Sequence, residues 1–192
     1  AAALAGPAAE ALRGAEAPAL HSVSLALWAV GFLEALHGAP EGQRLLAELV
    51  RLAANAAEDM NPQMVSNCAW GAARAAVPAG APLYDRLALA AGRQLRRGAP
   101  TLTDQHVCNV VWAFARVEAR GAAVQQHMVT VGEEVCRGRR LLAMQPHHAA
   151  GIAWSLARGA IPHCEREPAK AVEATPAAVR AAIAQAGEAA RA

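Results

Sequence analysis

Residues 61–74 read NPQMVSNCAWGAAR. An Asn ahead of a Pro, apolar residues at helical spacing and a Trp in the third turn describe one amphipathic helix with a marked start. Residues 103–116, TDQHVCNVVWAFAR, and residues 145–158, QPHHAAGIAWSLAR, repeat the pattern. Residues 19–32, ALHSVSLALWAVGF, form its most degraded copy. The four Trp of the chain, Trp28, Trp70, Trp112 and Trp154, each follow the last by 42 residues. Self-similarity at a fixed period between 20 and 50 residues signals a solenoid, propeller or array.

The start signals recur with the Trp. Asn61 and Thr103 lie nine residues ahead of theirs, where a side-chain oxygen can accept from a free backbone N–H. Pro62 and Pro146 take the first helical position, where a missing N–H costs nothing. Met60, Leu102 and Met144 stand before the caps and face Val65, Val107 and Ala149 in the manner of a hydrophobic staple. Each first helix is expected to end about four residues past its Trp. A second helix follows, as EGQRLLAELVRLAA behind Pro40, LYDRLALAAGRQL behind Pro82, and AVQQHMVTVGEEVC. Joints fall at Asn55 to Met60, Gly98 to Leu102 and Gly138 to Met144.

The expected fold is therefore all-α, an α-solenoid of helix–turn–helix repeats that stack because no unit buries its apolar face alone. Residues 1–192 form a single array with repeats at 18–59, 60–101, 102–143 and 144–190. Residues 1–13 read as the end of a preceding repeat or a cap. The last repeat carries an insertion near 162–174, with its second helix at 176–190 behind Thr175 and Pro176. Small residues recur four before the Trp (Ser24, Ser66, Cys108, Ala150) and one after it (Ala29, Gly71, Ala113, Ser155), which predicts close helix packing. The indoles are expected at the edge of that packed seam.

Composition agrees with a helical class. Hydrophobic residues make up 55% of the chain, largely Ala, and aromatic residues only 4%. A net charge of +2 excludes a strongly basic molecule, yet Lys170 is the sole lysine and every other cation is Arg. Arg suits bidentate phosphate contacts and stacking on bases. Cys68, Cys108, Cys136 and Cys164 show no C-x-x-C spacing and read as free thiols of a reducing compartment. No stretch reads as a membrane span. The chain starts at Ala1 without a signal peptide, so a processed or trimmed product is expected. His147–His148 and His163–Cys164 lack a recognised zinc spacing, and no pair of carboxylates faces another. No metal or other cofactor, and no enzymatic activity, is expected.

Positions seven and three before the Trp and four after it fall within about 40° on the helix wheel. They read His21, Leu25, Phe32 in the first copy, Gln63, Asn67, Arg74 in the second, Gln105, Asn109, Arg116 in the third, and His147, Gly151, Arg158 in the fourth. Ordinary wet helix faces are rich in Glu and Lys, whereas amides and guanidinium groups suit the reading of exposed bases. The stripe is expected opposite the core. A second arginine set in the joints, Arg96 and Arg97 with Arg139 and Arg140, is placed to meet successive phosphates.

Pro62, Gln63, Val65, Asn67, Trp70 and Ala73 resemble the first helix of the octotricopeptide repeat. Gln105, Val107, Asn109, Trp112, Ala113 and Ala115 match it in the third copy, and Pro146, Trp154 and Ala157 in the fourth. The resemblance spans about residues 20–160. It implies an α-solenoid that binds organellar mRNA or rRNA in the mitochondrial matrix or chloroplast stroma, of a kind abundant in green algae. Transcript stabilisation, splicing, translation activation and ribosome association are the roles it implies. Four repeats address few bases, so a longer parent chain or residence in a larger complex with ribosomal or other RNA-complex proteins is expected. No DNA and no membrane partner is expected. A HEAT-like protein scaffold fits the same period and stands as the alternative.

Overall fold

The computed structural model describes residues 20–33, 36–137 and 144–160. The expectations for residues 1–13, for the third joint at 138–143 and for the insertion and final helix at 162–190 lie outside these. Among the described residues there are seven α-helices and no strand. They are α1 (Leu20–Phe32), α2 (Pro40–Ala56), α3 (Pro62–Arg74), α4 (Pro82–Arg96), α5 (Asp104–Val117), α6 (Ala122–Arg137) and α7 (Pro146–Ala160). None is long and apolar enough to cross a membrane.

Local chemistry sets the helix starts. The Asn61 side chain accepts from the Met64 N–H at 2.9 Å, and Pro62 opens α3. Thr103 Oγ1 accepts from the His106 N–H at 3.3 Å, while His106 Nδ1 accepts from the Thr103 N–H at 3.3 Å. This is a capping box with His in the place usually held by Glu or Gln. Helix α6 is capped from another helix: Asp85 of α4 accepts from the Val124 N–H at 3.4 Å. The first joint begins later than its composition suggests, since Asn55 belongs to α2 and a 3-10 turn, Ala57–Asp59, follows.

Packing sorts the helices into two layers. Helix α1 packs on α3, α3 on α5 and α5 on α7, while α2 packs on α4 and α4 on α6. Between the layers lie Leu27, Leu49, Leu83, Tyr84, Leu87 and Phe114, all fully buried. The Tyr84 hydroxyl donates to the Val77 carbonyl at 3.1 Å, so its burial leaves no orphan donor.

The first-helix layer is the tighter one. A Cβ built on Gly71 would run into the Leu27 carbonyl and come within 2.8 Å of Trp28 Cα. One built on Gly31 would lie 2.9 Å from Gly71 Cα. Backbone meets backbone there, which only glycine permits. A Cβ on Gly151 would lie 2.6 Å from the Cys108 sulfur. The periodic small residues act as the sequence suggests, as contact points between successive first helices.

Candidate nucleic-acid interface

The first helices lie side by side, and the positions that the sequence groups as a stripe run along each of them. On α3 the stripe runs Gln63, Asn67, Trp70, Arg74, and on α5 it runs Gln105, Asn109, Trp112, Arg116. From Gln63 to Arg74 it covers eleven residues, about 16 Å of helix.

Structure divides the amides that the sequence groups together. Gln63 and Gln105 are exposed, but Asn67 is 8% exposed and Asn109 half-buried. Asn109 Nδ2 donates to Ser66 Oγ at 3.1 Å, across to the neighbouring helix α3. Gln63 Nε2 donates to Asn67 Oδ1 at 2.8 Å, and Gln63 Oε1 lies 3.0 Å from His106 Nε2. Because His106 Nδ1 accepts at the cap, the neutral ring carries its proton on Nε2 and donates it to Gln63. Burial lowers the His106 pKa and favours that neutral form. The result is a relay from the α5 cap through His106 and Gln63 to Asn67. The Asn positions are thus seam residues, not groups standing opposite the core. His106 and Ser66 are the partners that sequence reasoning overlooked. Ser66 was visible only as a small residue, and His106 as the third residue after a capping Thr.

The Trp side chains lie at the edge of the packed seam, and Trp112 packs against the core. Trp28 is 41% exposed and Trp154 45% exposed, while Trp70 and Trp112 are half-buried. Trp28 and Trp70 have ring centroids 6.3 Å apart at 35°, and Trp70 and Trp112 repeat the 6.3 Å spacing at 26°. Phe32 takes the place of the stripe arginine and lies 4.6 Å from both Trp28 and Trp70. Trp28, Trp70 and Trp112 therefore form a surface ladder beside the stripe, and Trp154 occupies the equivalent place on α7. Each lies three residues after the Asn position and four before the Arg, so it sits between them along the axis and borders the stripe on the wheel, about 40° from the Arg.

Guanidinium groups accompany the rings. Arg74 lies 5.6 Å over Trp70 and Arg158 lies 5.6 Å over Trp154, a cation–π arrangement at helical i,i+4 spacing. Arg158 also reaches α5, where its Nε donates to the Ala115 carbonyl at 3.2 Å and its Nη2 pairs with Glu118 at 2.9 Å. Arg116 is exposed and forms no ion pair with a described residue. His147 is exposed with its ring 4.0 Å from that of His148.

No protein-family model, curated protein or solved structure matches the chain. Charge must therefore speak for the site. From α1 to α7 the first helices contain Arg74, Arg116 and Arg158 with a single carboxylate, Asp104. The acids sit in the second layer, as Glu41 and Glu48 on α2, Asp85 on α4, and Glu133 and Glu134 on α6.

The joint arginines lie apart from the stripe. Arg96 closes α4 and Arg97 caps it, both exposed, at the edge where first helices begin. Arg74, Arg116 and Arg158 occupy the opposite edge, where first helices end. Arg139 and Arg140 lie outside the described residues. Behind Arg96, His127 is buried and neither ring nitrogen has a hydrogen-bond partner. Burial, aided by the Arg96 charge, pushes its pKa down to about 4. Cys68 and Cys108 are free, and burial raises both thiol pKa values, that of Cys68 to about 12. Neither is a nucleophile at neutral pH.

Proposed function

We infer that this chain is a non-enzymatic RNA-binding α-solenoid of 42-residue helix–turn–helix repeats, of the octotricopeptide-repeat kind, acting in a mitochondrion or chloroplast. Its ligand is organellar mRNA or rRNA, contacted along the first-helix face, and residence in a ribosome or RNA-processing complex fits its few repeats. The observation that carries the reading is the scarcity of acid on the first-helix face. The first helices carry three arginines and a single acid, Asp104, at a helix start, whereas the second helices mix five acids with six arginines. A polyanion meets little opposing charge along the first layer.

Arg74 and Arg116 contact phosphates, Gln105 has its amide exposed for a base edge, and the joint arginines Arg96 and Arg97 extend the basic surface. Replacing both Arg74 and Arg116 by Gln is expected to weaken single-strand binding. The dependence of log affinity on log salt should become shallower by about 1.4, since each phosphate contact contributes roughly 0.7. Filter binding between 50 and 200 mM salt measures this, and an unchanged slope rejects the assignment.

A HEAT-like scaffold is favoured by one feature, the exposed cluster of Leu25, Trp28, Phe32 and Leu33 at α1. That reading predicts a protein partner retained after RNase treatment and lost when Leu25 and Leu33 become Ser.

A further inference from the structure

We propose that the aromatic ladder is the recognition surface itself, and that it takes single-stranded RNA by stacking, largely without regard to base identity. This rests on the RNA-binding reading and names its mode. Three of the stripe amides are already engaged within the protein: Gln63 with Asn67 and His106, and Asn109 with Ser66. Base edges would have to displace these bonds, in a seam where a freed partner is left unsatisfied. The outer rings are held by weaker contacts, Trp28 by Phe32 and Trp154 by Arg158. Trp28 and Phe32 on α1 and Trp154 on α7 remain exposed.

Charge complementarity identifies the occupant. The rings alternate with Arg74 and Arg116, while Arg158 is paired with Glu118, on a face whose helices carry one acid, so a strand with apolar ring faces and regular negative charge fits both features. A duplex fits neither, because its base faces are stacked on one another and hidden. From α1 to α7 are three helix spacings of about 9 Å, so a bound strand crosses roughly 27 Å of surface. At about 3.4 Å per stacked nucleotide that is roughly eight nucleotides.

The test is a titration of the full chain with U12, A12 and C12 oligoribonucleotides and with the A12·U12 duplex, read by Trp fluorescence and by filter binding. The three single strands are expected to bind within about threefold of one another and to quench the indoles, and the duplex to compete at least tenfold less well. The W28A/F32A pair and W154A should each lose about tenfold in affinity. Trp154→Phe keeps a ring and should restore most of that loss. These side chains lie at the surface, so far-ultraviolet circular dichroism should be unchanged.

If W28A/F32A and W154A bind normally while R74Q/R116Q does not, stacking is wrong and the RNA reading stands. If no oligonucleotide binds the unaltered chain, the RNA reading itself falls. A duplex that binds as well as a single strand overturns the stacking proposal. So does a defined protein partner that survives RNase and is lost with W28A/F32A.

Discussion

The two helical layers of this molecule alternate along one chain yet solve different problems. Second helices turn bulky leucines such as Leu49, Leu83 and Leu87 into the core, and their outer surface mixes acids with arginines, as in the Glu48–Arg51 pair at 2.6 Å. First helices meet through Gly31, Gly71, Ser66 and Gly151, and their outer surface carries rings, amides and arginines. Close backbone approach brings successive Trp within 6.3 Å, which side-chain-separated helices would not allow. Tight packing in one layer is therefore what assembles its surface ladder. The layer under the greater steric constraint is the one with a candidate function.

Glycine substitution breaks the comparison most sharply. Gly71→Ala places a methyl against the Leu27 carbonyl and Trp28 Cα, neither of which can yield without moving a helix. It is expected to destabilise by about 3 kcal/mol or more, as overpacking against backbone does, and to dim the Trp28–Trp70 coupling in near-ultraviolet circular dichroism. Gly92→Ala in the second layer comes within 3.2 Å of Arg96 Nη1, the far end of a flexible side chain, and makes an ordinary 3.6 Å contact with His127 Nδ1. Removing a mid-helix glycine there should be neutral or stabilise by up to about 1 kcal/mol. Urea midpoints of the two variants measure the contrast, and equal losses would dissolve it.

The next largest effect is a pH dependence seated between α4 and α6. His127 is neutral in the fold, with its pKa lowered to about 4 by burial and by Arg96. The unfolded chain protonates it near pH 6.5, so above that pH neither state binds a proton and nothing is lost. As pH falls from about 6.5 towards 4 the unfolded state gains a proton that the folded state refuses. Stability should drop by up to about 3 kcal/mol over that window. His127→Leu is expected to flatten the profile and, because it removes two unsatisfied polar atoms, to raise stability at pH 7. A variant with an unaltered acid limb would show that His127 is not its source.

The smallest effect concerns how the first helices end. Ala76 and Glu118 hold left-handed φ values of 55° and 59° just past α3 and α5, whereas α4 ends with Gly98 at 59°. The Val77 N–H still donates to the Ala72 carbonyl at 3.0 Å and the Ala119 N–H to that of Phe114 at 3.0 Å, closing both ends. Ala76→Gly relieves the strain and should stabilise by about 0.5–1 kcal/mol once backbone entropy is deducted. Thermal melts would register a rise of a few degrees, and a fall would mean that the Ala76 methyl makes contacts worth more than its strain.

Reading the sequence located the helices well and the site less well, for reasons visible in particular residues. Asn61, Pro62 and Thr103 act within three or four positions of themselves, so their caps follow from local chemistry alone. Gly71 was recognisable as a small residue at a fixed offset from Trp70, although not as a point of backbone contact. Asn67 and Asn109 look like exposed stripe residues because a wheel divides core from non-core and nothing finer. Whether a non-core position meets water or a neighbouring helix depends on residues 43 positions away, as Asn109 on Ser66 shows. The same gap hid the Trp ladder, since a ring at the border of the apolar side can turn either way.

Sequence alone determined the spacing of the Trp motifs, the helix starts and the recurrence of amides and arginine at fixed offsets from Trp70 and Trp112, because short-range hydrogen bonding and helical periodicity are written residue by residue. Only the tertiary structure decided which members of that stripe remain available. Close packing through Gly31 and Gly71 sets the distance between first helices, and that distance draws the Asn side chains into the seam while leaving Trp28 and Trp154 open to solvent.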